Sequence, residues 1–586
     1  MNVVSRTRRD TQHIAAGWLE DFADALRSGD ATAAASLFAA DGHWRDVLAF
    51  TWRLQTESGA AAIEAALAPT LARTRPTNFH IPAARSTPRR VRRAGTDCIE
   101  AVFGFETAFG RANGVVRLAE EADGTWRAWT LLTTLEELQG YPDGRPPAVS
   151  EAERYSRDFG GENWLDQRRK AIAYADHDPA VLVVGGGQAG LSVAARLGAL
   201  GVDTLVVDRH QRIGDNWRLR YHALTLHNEV HVNHMPLMPF PPTWPVFIPK
   251  DKLANWFEAY VESLELNYWT GTELAGGSYD AKQRRWTVTL RRTDGSERTV
   301  KPRHIVIATG VSGIPVWPSI PGLGTFSGTV MHSGSYTSGA DWKGRKALVI
   351  GTGNSGHDVA QDLCASGVDV TLVQRSPTYV VSIREAQKVY SVYGEGLPFE
   401  DCDLLAASMP YPVLLRAYQL STAEMRETDR ALLKGLESRG FRLSYGEDDT
   451  GFQMMYLRRG GGYYFNVGCS DMIVDGRIGL LQHDAIDRFV PQGVALRDGR
   501  TMPADLVVVA TGYESQREVV RATLGDAVAD RIGPVWGFDD GGELRNMWTR
   551  TAQDGLWFTA GSLAQCRIYS RYLALQIKAL EDGLLR

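Results

Sequence analysis

Two glycine-rich turns, each set between a run of apolar strand residues and a helical run, constrain this chain more than any other feature. The first is Val181-Leu-Val-Val-Gly185-Gly-Gly187-Gln188-Ala189-Gly190; the second, Ala347-Leu-Val-Ile-Gly351-Thr-Gly353-Asn354-Ser355-Gly356, follows 166 residues later. In a GxGxxG turn the first glycine allows the tight bend, the second lets the backbone approach a pyrophosphate, and the third lets helix pack against strand. The free N–H groups and the helix dipole hold the anion. Two such units predict an α/β protein with two Rossmann-like dinucleotide-binding domains.

The residues after each turn separate the two sites. The strand Thr204-Leu-Val-Val-Asp208 ends in an acid 18 residues beyond Gly190, placed to accept the ribose hydroxyls of a dinucleotide. The strand Val370-Thr-Leu-Val-Gln374 ends instead in Gln374-Arg375-Ser376. An acid there would repel a 2′-phosphate, whereas Arg375 can pair with one, so the second site is predicted to take NADPH. Two dinucleotide folds in one chain imply one bound and one mobile cofactor, FAD and NADPH.

At 586 residues the chain is expected to hold three or four folding units. Its net charge of −5 gives no global positive field for a nucleic-acid backbone. Five dispersed cysteines without CxxC spacing suit neither a disulfide framework nor a metal site, so no metal is expected. No long apolar run marks a membrane span, and the chain reads as cytoplasmic.

Residues 1–140 are expected to form an α+β domain. An amphipathic helix runs through Trp18–Phe38, a turn follows at Ala40-Asp41-Gly42-His43-Trp44-Arg45-Asp46, and strands lie at Ile99–Phe109, Gly114–Glu120 and Trp126–Leu135. The order resembles the cone-shaped NTF2-like (SnoaL-like) fold. Asp41, His43, Trp44 and Asp46 form a candidate pocket cluster, read foremost as an ordinary turn, and the basic run Pro88-Arg-Arg-Val-Arg-Arg93 reads as a solvated face. Residues 141–177 read as linker and charged helix. The first dinucleotide domain is expected at 178–325 and 481–586, and the second at 326–480, with a mixed insertion at 386–462 as a substrate wall.

Between the turns, Phe326-Ser-Gly328-Thr-Val-Met-His332-Ser-Gly-Ser-Tyr336 matches FxGxxxHxxxY, and the chain resembles the flavin-containing monooxygenases that carry this fingerprint. The Baeyer–Villiger branch ends the motif in Trp rather than Tyr. Further matches are Gly214-Asp-Asn216-Trp217, Ala308-Thr309-Gly310 and Ala510-Thr511-Gly512-Tyr513. Tyr221-His-Ala-Leu-Thr-Leu-His227-Asn228 with Met235-Pro-Leu-Met-Pro-Phe-Pro241 is similar to the plant YUCCA-type branch, the indole-3-pyruvate monooxygenases, which lack the front domain.

The resemblance implies that NADPH reduces FAD, that O₂ adds at the flavin C4a atom, and that the hydroperoxide passes one oxygen to a small organic substrate. It implies cofactor contacts from the first turn, Asp208, Arg209, Asn216, Trp217, His227, Thr309, Gly310, the second turn, Arg375, Ser376, Thr511, Gly512 and Tyr513. Asn228 and His332 are the candidate catalytic residues. N-oxygenation, S-oxygenation, oxidative decarboxylation of a 2-oxo acid and carbonyl insertion stay open, as does a homodimer. The rivals are an NADPH oxidase or reductase and a ligand-binding scaffold with vestigial flavin folds.

Overall fold

The computed structural model describes residues 3–141 and 159–585, so residues 142–158 of the expected linker lie outside the described residues. The front domain is α+β. Buried Ala15, Trp18, Leu19, Phe22 and Leu26 fall on one face of the helix Val3–Ser28, the 3.6-residue period of a helix packed on a core. That helix stops earlier than expected. Gly29 takes φ 74°, and the Asp30 carboxylate accepts from Ala33 N to start a separate short helix, Ala31–Ser36.

Behind the helices lies a seven-stranded mixed sheet. The expected turn at 40–46 is instead the interior of the strand Phe38–Val47, which pairs parallel with Trp126–Leu135 and antiparallel with Leu54–Ser58. The register shifts between Phe38 and His43, so Asp41-Gly42 supplies a bulge rather than a turn. The strand also disperses the candidate pocket cluster. The Asp46 carboxylate accepts from Thr133 Oγ1, Thr51 N and Thr51 Oγ1, and Trp44 Nε1 donates to Thr133 Oγ1, inside the core. His43 meets Ser58 Oγ near the surface.

Each glycine turn sits on a five-stranded parallel sheet. The first runs Asn267–Trp269, Thr204–Val207, Val181–Val184, His304–Ile307, Leu556–Phe558; the second, Thr329–His332, Leu506–Val509, Lys346–Ile350, Asp369–Gln374, Gly479–Gln482. The central strands are buried on both faces, which is why they read as continuous apolar runs. The expected boundary at 480/481 moves. The antiparallel strands Ile486–Val490, Gly493–Leu496 and Thr501–Pro503 precede Leu506–Val509, which pairs inside the second sheet. The chain therefore returns to the first fold only after Tyr513.

The two folds repeat one device. In each, the strand that carries the glycine turn lies beside a strand ending in Ala-Thr-Gly. A Cβ on Gly185 would lie 2.6 Å from Ala308 O, and one on Gly351 would run into Ala510 O. With φ of 111° and 119°, both positions need glycine. The insertion between Gln374 and Gly479 is mostly helical, and its strands Tyr379–Ser382 and Tyr463–Asn466 pair parallel with each other.

Candidate active site

At the first turn, Gly187 has unstrained backbone angles, φ −82° and ψ −172°, and a Cβ there would lie 2.9 Å from Asn216 Nδ2. Gly190 differs, because its Cβ would strike Gly185 O. The helix Gln188–Ala199 has no side-chain cap, so its N–H groups are free to face an anion. Gln188 spans the turn: Trp217 Nε1 donates to its Oε1 at 3.2 Å, and its Nε2 donates to Gly561 O at 3.2 Å. Asp208 accepts from Gly186 N, His210 N and His210 Nδ1. Burial opposes its ionisation, but the bonds from His210 and Gly186 hold the carboxyl below its usual range. Arg209 beside it is exposed.

At the second turn the protein itself does not require glycine at 353. With φ −81° and ψ −174° any residue could stand there, and a Cβ would come no nearer than 3.8 Å to Tyr463 O. The room it leaves suits a group from outside the chain, and the uncapped helix Asn354–Ala365 suits an anionic one. Gly356, like Gly190, is needed for packing, against Gly351 O. Asn354 Oδ1 accepts from Phe465 N at 2.9 Å, and Ser355 is half-buried. Gln374 is buried and holds the Arg442 backbone from both sides, while Arg375 and Ser376 are exposed and Arg375 forms no ion pair with any described residue.

The fingerprint proves to be a set of structural ties. Phe326 is buried, and a Cβ on Gly328 would lie 2.5 Å from Asp505 O. Tyr336 OH donates to Asp362 Oδ2 at 2.6 Å, and Gly339 N donates to the same oxygen at 2.8 Å. His332 is 2% exposed; its Nδ1 accepts from Gly334 N at 3.1 Å and its Nε2 donates to Gly512 O at 3.2 Å. Both ring nitrogens are thus bonded to backbone, and His332 is not among the residues lining the cavity. Burial lowers its pKa, and a neutral ring with both nitrogens engaged positions the Thr511-Gly512 crossing. Tyr336→Phe, which strips a donor from a charged acceptor, is expected to cost about 1.5–3 kcal/mol of stability, read as a lower melting temperature at unchanged flavin content.

A cavity of about 1380 Å³ starts at Gly185, Gly187, Gln188, Ala189 and Asp208, and passes Arg209, Asn216, Trp217, Thr309, Gly310 and Tyr513. Thr309 Oγ1 and the Tyr513 hydroxyl on its border have no hydrogen-bond partner among the described residues. His227 and Asn228 line the same cavity, in the part termed the chamber. Burial pushes the His227 imidazole down to about 4, so it is neutral, and its ring lies 4.7 Å from that of Phe465. Asn228 Nδ2 donates to Tyr390 OH at 3.1 Å. His332, Thr511, Gly512, Arg375, Ser376 and the second turn lie off this cavity. The sequence placed a substrate wall in the insertion at 386–462 without naming its residues: Tyr390, Tyr418, Phe452 and Tyr456 line the cavity, with Tyr463 just beyond the insertion and Tyr569 from the helix Leu563–Glu581. None belongs to a motif; only the Tyr and Met content of the insertion hinted at it.

Two parallel-sheet dinucleotide folds in one chain, the first opening on a large cavity, define a pyridine-nucleotide flavoprotein. The sequence profile of the pyridine nucleotide-disulphide oxidoreductase family matches residues 182–393. The indole-3-pyruvate monooxygenase YUCCA1 of Oryza sativa subsp. japonica is 31% identical over 338 residues, covering 58% of this chain and 77% of the relative. Its Oryza paralogue YUCCA4 is 31% identical over 350 residues, covering 58% and 74%. A crystal structure of cyclohexanone monooxygenase with ε-caprolactone shares the fold, with a TM-score of 0.50 at 17% identity, over 70% of this chain and 89% of that one. The chain belongs to the flavin monooxygenase family, enzymes dependent on FAD and NADPH. Among the described residues no helix is long and apolar enough to cross a membrane.

Proposed function

We propose that the enzyme transfers one atom of O₂ to a small organic substrate held in the aromatic chamber, by N- or S-oxygenation or by oxidative decarboxylation of a 2-oxo acid. What carries the reading is the continuity of one cavity from the first glycine turn to that chamber. Gly185, Gly187, Gln188, Ala189, Asp208, Arg209, Asn216, Trp217, His227, Thr309, Gly310 and Tyr513 would hold FAD; Gly353, Asn354, Ser355, Arg375 and Ser376 would hold NADPH. Bound, the two cofactors supply reducing power and activated oxygen.

The chain's own residues position and shield. The free helix N-termini and glycine backbones bind pyrophosphates, and Gln188 fixes Trp217 beside the turn. Asn228, oriented by Tyr390, offers an amide to the reacting oxygen, and the tyrosine wall keeps water out. The order of helices and strands at residues 3–141 supports an NTF2-like reading of the front domain. Product mass analysis under ¹⁸O₂ with a panel of amines, sulfides and 2-oxo acids tests the reaction; products without ¹⁸O would move the enzyme to an oxidase or reductase.

Two variants test the roles. Arg375→Ala is expected to weaken NADPH by about 1.5–3 kcal/mol, the scale of a charge-assisted hydrogen bond, and leave NADH nearly unchanged. KM values for both nucleotides decide it, and equal losses would remove the 2′-phosphate contact. Asn228→Ala is expected to divert NADPH electrons to hydrogen peroxide, read by a peroxide assay beside NADPH consumption.

A further inference from the structure

The front domain is the largest feature that the oxygenase reading leaves unused. Its sheet presents Arg45 to the other domains, at 7% exposure, in hydrogen bonds to three separate segments. Nε and Nη2 donate to Glu543 Oε1 and Oε2 at 2.7 and 2.6 Å, and Nη1 donates to Ala407 O and to Tyr569 OH. Thr56 Oγ1 donates to the same Glu543 at 2.9 Å. Arg45, Leu54, Glu543, Leu544 and Tyr569 border the cavity that begins at Gly187.

Other ion pairs fix the same docking, and the one between Arg85 and Asp401 lies off the cavity. Arg85 and Ser86 N bind the buried Asp401, and Arg89 and Arg93 bind Glu395. Buried pairs lose solvation on docking, so they add little affinity but hold one geometry closely. That suits a wall whose position matters. On the cavity side Arg45 is paired with Glu543, while Arg93 and Arg117, which also line the cavity, share Glu100, and Arg93 also pairs with Glu395.

We infer that the front domain forms one wall of the substrate chamber, sealed at the Arg45–Glu543 pair, and that this wall keeps water from the flavin. The inference rests on the oxygenase reading above. In the FAD-loaded full-length enzyme, Arg45→Ala is expected to raise acrylamide quenching of the bound flavin's fluorescence several-fold, together with the share of NADPH electrons appearing as peroxide. Arg85→Ala, at the same interface but off the cavity, should move neither. Glu543→Gln, which keeps the shape and removes the charge, gives the same reading where Arg45→Ala does not accumulate. No rise in either chamber variant, or an equal rise in Arg85→Ala, would overturn the inference. Flavin-free wild-type protein would sink the oxygenase reading and the inference with it.

Discussion

Gly187→Ala is expected to fold normally and emerge nearly free of flavin, whereas Gly190→Ala is expected not to accumulate as folded protein. The contrast follows from what each methyl group would meet. At 187 it faces the end of the Asn216 side chain, which can swing away, and it fills the space a pyrophosphate needs. At 190 it faces the Gly185 carbonyl, part of the strand-to-helix turn, which has nowhere to go. The ratio of flavin to protein absorbance, with circular dichroism of both variants, checks the pair. Normal flavin content in Gly187→Ala would remove the FAD assignment of the first turn.

Glu100→Gln is expected to destabilise the front domain by about 3–5 kcal/mol, the cost of leaving a buried charge uncompensated. Glu100 is 3% exposed and accepts from Arg117 Nε at 2.8 Å, Arg93 Nη2 at 2.8 Å and Arg89 Nη2 at 2.7 Å, and Arg117 is itself 1% exposed. Burial works against the carboxylate, but Arg117 and Arg93, with Arg89, outweigh it and bring its pKa down from 4.5 to about 2. Such a depression contributes about 3 kcal/mol, fully present above pH 4.5 and lost as the pH falls towards 2. Melting temperature against pH should therefore decline across that interval in the wild type more steeply than in Glu100→Gln. Parallel curves would sink the argument.

Glycine spacing made both dinucleotide folds legible, because the bend, the close approach and the helix packing each admit no side chain at one position. The front domain was legible in class but not in detail. Asp41-Gly42 reads equally as turn or bulge, and only the pairing partner across the sheet, Trp126–Leu135, decides. The basic run at 88–93 was half misread. In a strand alternate residues face opposite ways, so Arg89 and Arg93 turn in to Glu100 and Glu395, while Arg92 stays out with Asp97. The insertion was legible as a wall but its residues were not, because Tyr390, Tyr418, Tyr456 and Tyr569 come from four helical elements and Tyr463 from a strand, none carrying a motif.

The chain crosses between the two folds twice, after Gly310 and after Gly512, and the crossings are stitched together. Thr511 Oγ1 donates to Val316 O, Val316 N to Gly512 O and Glu514 N to Ile314 O, with His332 fastened to the same Gly512. A single strand would let one fold tumble against the other. Two strands laced side by side behave as a torsion spring: they resist splaying and sliding and yield to twist. A nucleotide held at the second turn would therefore approach the chamber by turning about one axis, its reach set by an angle.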